Sequence, residues 1–126
     1  MDIERFAGSW KKTNEKPQWI ESVDVETRGD ILYVSIFGSA APSPPVWGRV
    51  RAGVIYATRS DTTDTRGGGF LANYSFDDFD VEVQANLNLG LLVVATFVKF
   101  RGESGQAGLP VLQDRFTREF FFRGEA

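Results

Sequence analysis

Phe6-Ala7-Gly8-Ser9-Trp10 opens the first extended segment of the chain, and Phe116-Thr117-Arg118-Glu119-Phe120 lies in the last. A Gly-x-Trp near one terminus and an arginine among aromatics near the other stand far apart in sequence. If they meet in space, the first and last strands pair and the sheet has no free edges. These two stretches therefore decide between an open sheet and a barrel.

Working outward from them, the chain reads as short segments rich in Val, Ile, Phe and Tyr, separated by clusters of Gly, Pro, Asn and Asp. They fall at about 6–13, 19–27, 31–37, 46–59, 70–76, 79–87, 89–100 and 114–123. Eight strands with mostly short connections is the number at which an antiparallel sheet closes around a small interior. The expectation is an all-β fold, a single closed up-and-down barrel occupying residues 1–126 as one domain, with a β-sandwich of the same strands as the alternative. Pro42, Pro44 and Pro45 cannot donate to a ladder, so 38–45 reads as a loop. Arg28-Gly29-Asp30 reads as a hairpin turn, although the same triplet is known as a cell-adhesion motif. Gly48 and Gly53 permit a bulge in 46–59, which leaves open whether Trp47 and Tyr56 both point inward.

Two segments are apolar on both faces. In 31–37, Ile31, Tyr33 and Phe37 oppose Leu32, Val34 and Ile36; 89–100 has the same character. One face can line a barrel and the other needs cover. The expectation is a homodimer or higher assembly in which Leu32, Val34, Ile36, Leu92, Val94 and Val98, on the outer faces of strands 31–37 and 89–100, cover one another. In the last strand, Phe116, Arg118, Phe120 and Phe122 share one face and Arg115, Thr117, Glu119, Phe121 and Arg123 the other.

Composition narrows the chemistry. Of 126 residues, 42% are hydrophobic and 11 are Phe, which suits a packed or cavity-bearing apolar interior rather than disorder. A net charge of -3 gives a surface that attracts neither nucleic acid nor anionic membrane. With no cysteine and no histidine, disulfides, thiolate or imidazole metal sites, and Ser-His-Asp or Cys-His machinery are excluded. The N-terminus is not a secretory signal, and Leu87 to Phe100 is too short for a helix across a bilayer, so a cytoplasmic location is expected.

The Gly8-x-Trp10 pair in the first strand, the run of strands, and Arg118 in the last resemble the calycin group: lipocalins, fatty-acid-binding proteins and avidin-like barrels. In lipocalins that Trp crosses the base of the barrel beneath an Arg near the final strand. The resemblance thus implies a lipocalin-like barrel closed by Gly8, Trp10 and Arg118, with Arg118 favoured because Phe116, Phe120 and Phe122 share its face. An Arg over a Trp face is also sensible in itself, worth about 0.5–2 kcal/mol. The chain lacks the lipocalin disulfide and the paired-helix lid of fatty-acid-binding proteins.

Function is then sought at the end away from Trp10, in the loops 38–45, 60–69 and 101–113 and the aromatics beneath them. Tyr33, Phe37, Trp47, Arg49, Tyr56, Tyr74 and Phe97 are the candidate ligand-binding residues, aromatics at strand spacing with hydroxyls and a guanidinium to orient a ligand. Arg49, Arg51, Arg59 and Arg66 form a basic stretch suited to a carboxylate or sulfate. Asp61, Asp64, Asp77, Asp78 and Asp80 match no calcium-loop spacing and read as turn residues, and Gly67-Gly68-Gly69 is not a phosphate cradle. No metal, cofactor or catalytic residue is expected. The favoured function is a small-molecule binding barrel for a hydrophobic or amphipathic ligand. A cofactor-free isomerase or cyclase in the same barrel, and an interaction module with a filled core, are the alternatives.

Overall fold

The computed structural model describes residues 3–16, 18–56, 67–101 and 114–124. A short 3-10 turn, Glu4–Phe6, leads into eight strands: β1 Gly8–Lys12, β2 Ile20–Arg28, β3 Ile31–Gly38, β4 Val46–Tyr56, β5 Gly67–Ser75, β6 Phe79–Asn88, β7 Leu91–Phe100 and β8 Arg115–Arg123. Each pairs antiparallel with the next, and β8 returns to β1 through Trp10↔Arg123, Lys11↔Phe122 and Lys12↔Phe121. The sheet is a closed up-and-down barrel, as the terminal motifs implied. No helix among the described residues is long and apolar enough to cross a membrane.

The closure shows why a Gly-x-Trp is needed. Trp10 is fully buried, and its indole N–H donates to the Phe6 carbonyl at 2.9 Å. Gly8 sits at φ +137°, and a Cβ there would stand 2.7 Å from an Arg123 guanidinium nitrogen. Only a residue without a side chain both adopts that backbone and leaves the arginine room. Arg123 places its guanidinium carbon 4.4 Å from the Trp10 ring centroid and donates to the Arg5 carbonyl at 2.7 Å and to the Ala7 carbonyl.

The arginine over Trp10 is therefore Arg123 and not Arg118. The reason is parity. Residues directly opposed on neighbouring strands point to the same side of the sheet. Trp10 points inward and opposes Arg123, so the odd-numbered residues of β8 face the interior and Arg118 faces out. The shared face that recommended Arg118 is the outer one: Phe116, Phe120 and Phe122 are exposed, whereas Glu119 and Phe121 are buried.

The same reversal corrects the expected dimer contacts. Leu32, Val34, Ile36, Leu92, Val94 and Val98 are all buried in the core, so none is available to a second molecule. A third correction concerns the loops. In an up-and-down barrel successive connections alternate between ends, so the residues after Gly38 and after Phe100 leave one end and those after Tyr56 leave the other. The strand ends from which 38–45, 60–69 and 101–113 were expected to form one rim thus lie at different ends of the barrel, and most of 60–69 and 101–113 falls outside the described residues. The bulge expected in β4 falls at Gly48, φ +101°, where the register against β3 shifts; it turns Trp47 inward although Ala52, of opposite parity, is also inward.

Candidate functional site

The two ends of the barrel are built differently. Beneath Trp10 the interior is apolar and closed to the surface: Ile3, Phe6, Phe70, Leu92 and Phe121 have no exposed surface, and Phe6 meets Phe70 edge-on at 5.7 Å. Between this layer and the other end, the inward positions of β4 to β7 are small: Ala52, Ala72, Val83, Ala85 and Val94.

At the opposite end Trp19 lies just before β2 and is drawn across the barrel. Its ring centroid is 6.3 Å from Trp47 and 5.9 Å from Phe79, and the Arg115 guanidinium carbon is 5.2 Å from its ring. Tyr74, Phe76 and Phe100 complete a continuous aromatic layer, with ring separations from 5.0 to 6.0 Å. The backbone here is firmly tied. Ser43 Oγ donates to the Trp19 carbonyl at 2.7 Å and accepts from the Trp47 indole at 3.2 Å, and Ser39 N donates to the same carbonyl at 3.2 Å. Tyr74 Oη donates to the Gly48 carbonyl at 2.9 Å, with the Val34 carbonyl 3.3 Å away. Burial pushes that phenol far above its usual pKa, so it stays protonated and acts as a fixed donor.

The indole N–H of Trp19, by contrast, has no hydrogen-bond partner. Nor does Thr96 Oγ1 on the inner face of β7, and Thr117 Oγ1 and Glu119 Oε1 on the inner face of β8 have no well-formed bond, the Thr117 hydroxyl being close enough to Glu119 only to act on its charge. Thr96 and Thr117 are directly opposed across the two strands, and Glu119 is the next inward residue along β8. Glu119 is linked to the Trp19 segment, since its Oε2 accepts from the Ile20 amide at 3.0 Å. Burial raises the Glu119 pKa; the Ile20 amide, the Thr117 hydroxyl, the Trp19 amide and the Lys12 ammonium draw it partly back. Glu119 is also the only buried carboxylate among the described residues. Buried polar atoms are nearly always paired, because leaving one without a partner costs about 1–3 kcal/mol. Trp19 Nε1 and the three oxygens of β7 and β8 form the larger group of such atoms, with Gln18 Nε2 beside Trp19 in sequence; at the Trp10 end Arg5 Nε is likewise buried without a partner.

Of the residues expected to hold a ligand, Trp47 and Tyr74 are inside, in the aromatic layer. Tyr33, Phe37, Arg49 and Phe97 lie on the outer surface. Arg49 stacks over the Tyr33 ring at 4.0 Å and pairs with Glu26 at 3.1 Å, an outside ladder rather than a cavity wall. The side chain of Tyr56, together with Arg59, Asp61, Asp64 and Arg66, lies outside the described residues. Among those that are described, no group of three or more acidic side chains can hold a metal ion. Trp19, Thr96, Thr117 and Glu119 were not among the candidates. The signal that finds them is the parity set by Trp10, which turns the odd residues of β8 inward.

Comparison of the chain with family models, curated proteins and solved structures returned no match.

Proposed function

We propose that the protein is a calycin-like small-molecule binding barrel whose site lies beneath Trp19. The ligand in this reading has an apolar body that meets the aromatic layer of Trp47, Tyr74, Phe79 and Phe100, and one uncharged hydrogen-bonding head. The observation that carries it is the cluster of buried polar atoms on this side: Trp19 Nε1 and Thr96 Oγ1 have no partner, and Thr117 Oγ1 and Glu119 Oε1 have none beyond each other. The indole N–H can only donate, an ionised Glu119 oxygen can only accept, and the two threonine hydroxyls do either. A hydroxyl head answers both demands, whereas a carboxylate placed beside Glu119 meets a like charge in a low-dielectric interior. Access past Trp19 is supported by the lack of any hydrogen bond on its indole. The surrounding side chains are closely packed, which favours a small ligand.

A fluorescent apolar dye bound to the purified protein tests this directly. Short-chain and small aromatic alcohols are expected to displace it saturably, and carboxylates of the same size about tenfold less well. Thr96→Val and Glu119→Ala should weaken the alcohol. No saturable displacement by either class, with an empty organic extract of the freshly purified protein, would sink the reading.

A further inference from the structure

The outer face of β7 and β8 is unlike the rest of the barrel. Phe97, Phe116, Phe120 and Phe122 project from it with 40%, 58%, 39% and 46% of their surface exposed. Phe97 and Phe116 are opposed across the strands with ring centroids 4.9 Å apart, and the Arg118 guanidinium carbon lies 5.8 Å from the Phe120 ring. Next to these rings runs a groove of about 340 Å³, lined by apolar Ile55, Val93, Ala95 and Phe97 with Gln84, Asn86 and Arg118 among them. Protruding rings and a groove of matching character thus occupy a single face.

We infer that a second copy of this chain docks on the outer face of β7 and β8, with phenylalanines of each copy seated in or against the groove of the other. Three features commit the face to that occupant. Rings and groove on one surface are self-complementary, as an isologous twofold contact requires. The four rings expose about 400 Å² on the basis of a typical aromatic side-chain area. That is the apolar centre of an interface needing about 800 Å² per partner, and the polar rim supplies the rest. The charges are mixed: Glu82 opposes Phe97 and Asp80 opposes Lys99 across β6 and β7, with Arg118 on β8. Both signs on one face suit a copy of itself, whereas a polyanionic membrane or nucleic acid is repelled by the carboxylates.

Sedimentation velocity of the full chain from about 1 to about 100 µM reads the result. The wild type is expected to pass from monomer to dimer across that range. Phe116→Ser and Phe120→Glu should each weaken the dimer about tenfold or more, and Val46→Ser, at an exposed position on β4, should leave it unchanged. Near-ultraviolet circular dichroism confirms that each variant keeps its packing, and agreement between the two phenylalanine variants guards against one misfolding. A wild type that stays monomeric throughout overturns the inference. So does a dimer indifferent to both phenylalanine variants, and so does a monomer that floats with phosphatidylcholine vesicles through these phenylalanines, which would assign the face to a lipid surface.

Discussion

Trp10 and Trp19 are placed at opposite ends of the barrel, each buried and each beneath an arginine of β8, Arg123 at 4.4 Å and Arg115 at 5.2 Å. They differ in one bond. The Trp10 indole N–H donates to the Phe6 carbonyl, while the Trp19 indole N–H has no partner. The difference extends to their surroundings. Around Trp10 the side chains have no exposed surface; around Trp19 they retain a little, and the polar atoms of Thr117 and Glu119 are left open. One end is a plug that completes the fold. The other has the same parts with more of its hydrogen bonding unfinished, since among the described residues only Arg5 Nε is left over at the Trp10 end, and in the function proposed above this is where a ligand would add something the chain lacks.

The largest effect that tests this contrast comes from removing each tryptophan in turn. Trp10→Ala empties a fully buried site, leaves the Phe6 carbonyl without its donor and removes the ring beneath Arg123, so a stability loss of about 4 kcal/mol is expected in denaturant unfolding. Trp19→Ala removes a ring with no hydrogen bond from a layer that already touches solvent, and about half that loss is expected. Equal losses would break the distinction between the ends.

A smaller effect, of opposite sign, sharpens it. Thr96 is fully buried and its hydroxyl is unpartnered. Thr96→Val keeps the shape and removes the orphan, so the barrel should gain about 1 kcal/mol while losing affinity for a hydroxylated ligand. Ser43→Ala is the counterpart, because that hydroxyl bridges Trp19 and Trp47 and its removal should destabilise. If Thr96→Val costs stability instead, the hydroxyl has a partner in solution and the end is finished after all.

How much of this was legible in the sequence depends on which signal each feature leaves. Strand number and order were legible, because turn residues punctuate apolar runs at regular spacing and Gly8-x-Trp10 marks the closing strand. Which face of a strand is inward was not. In β3 both faces are apolar, so alternation of polarity gives no direction. In β8 the outer face carries three of the four phenylalanines and the inner face carries Arg115, Thr117, Glu119 and Arg123 with Phe121 alone, nearly the reverse of the usual pattern. Only the pairing of Trp10 with Arg123 resolves it, and that is a tertiary fact. Trp47 and Tyr74 were identified from residue type, but their polar atoms are engaged by Ser43 and Gly48. Thr96 and Glu119 carry no motif.

The smallest expected effect is a slope. Glu119 is raised above its ordinary value of 4.5, chiefly by burial. Its folded form therefore holds a proton that the unfolded chain has already released. The resulting stabilisation is fully present below the ordinary value and is lost as pH rises through the folded one. Exposed Asp80 has the opposite sense, lowered by the Ser75 hydroxyl and by Arg101, so the wild-type profile alone mixes the two. Glu119→Gln isolates the term, because Gln does not titrate and its carbonyl can still accept from the Ile20 amide. Wild-type stability measured against that variant should fall as pH rises above the ordinary carboxylate value of 4.5. A rise there would mean that the ionised carboxylate is fully paired in the folded chain. The end beneath Trp19 would then be as complete as the end beneath Trp10, leaving no hydrogen-bonding demand for a ligand to meet.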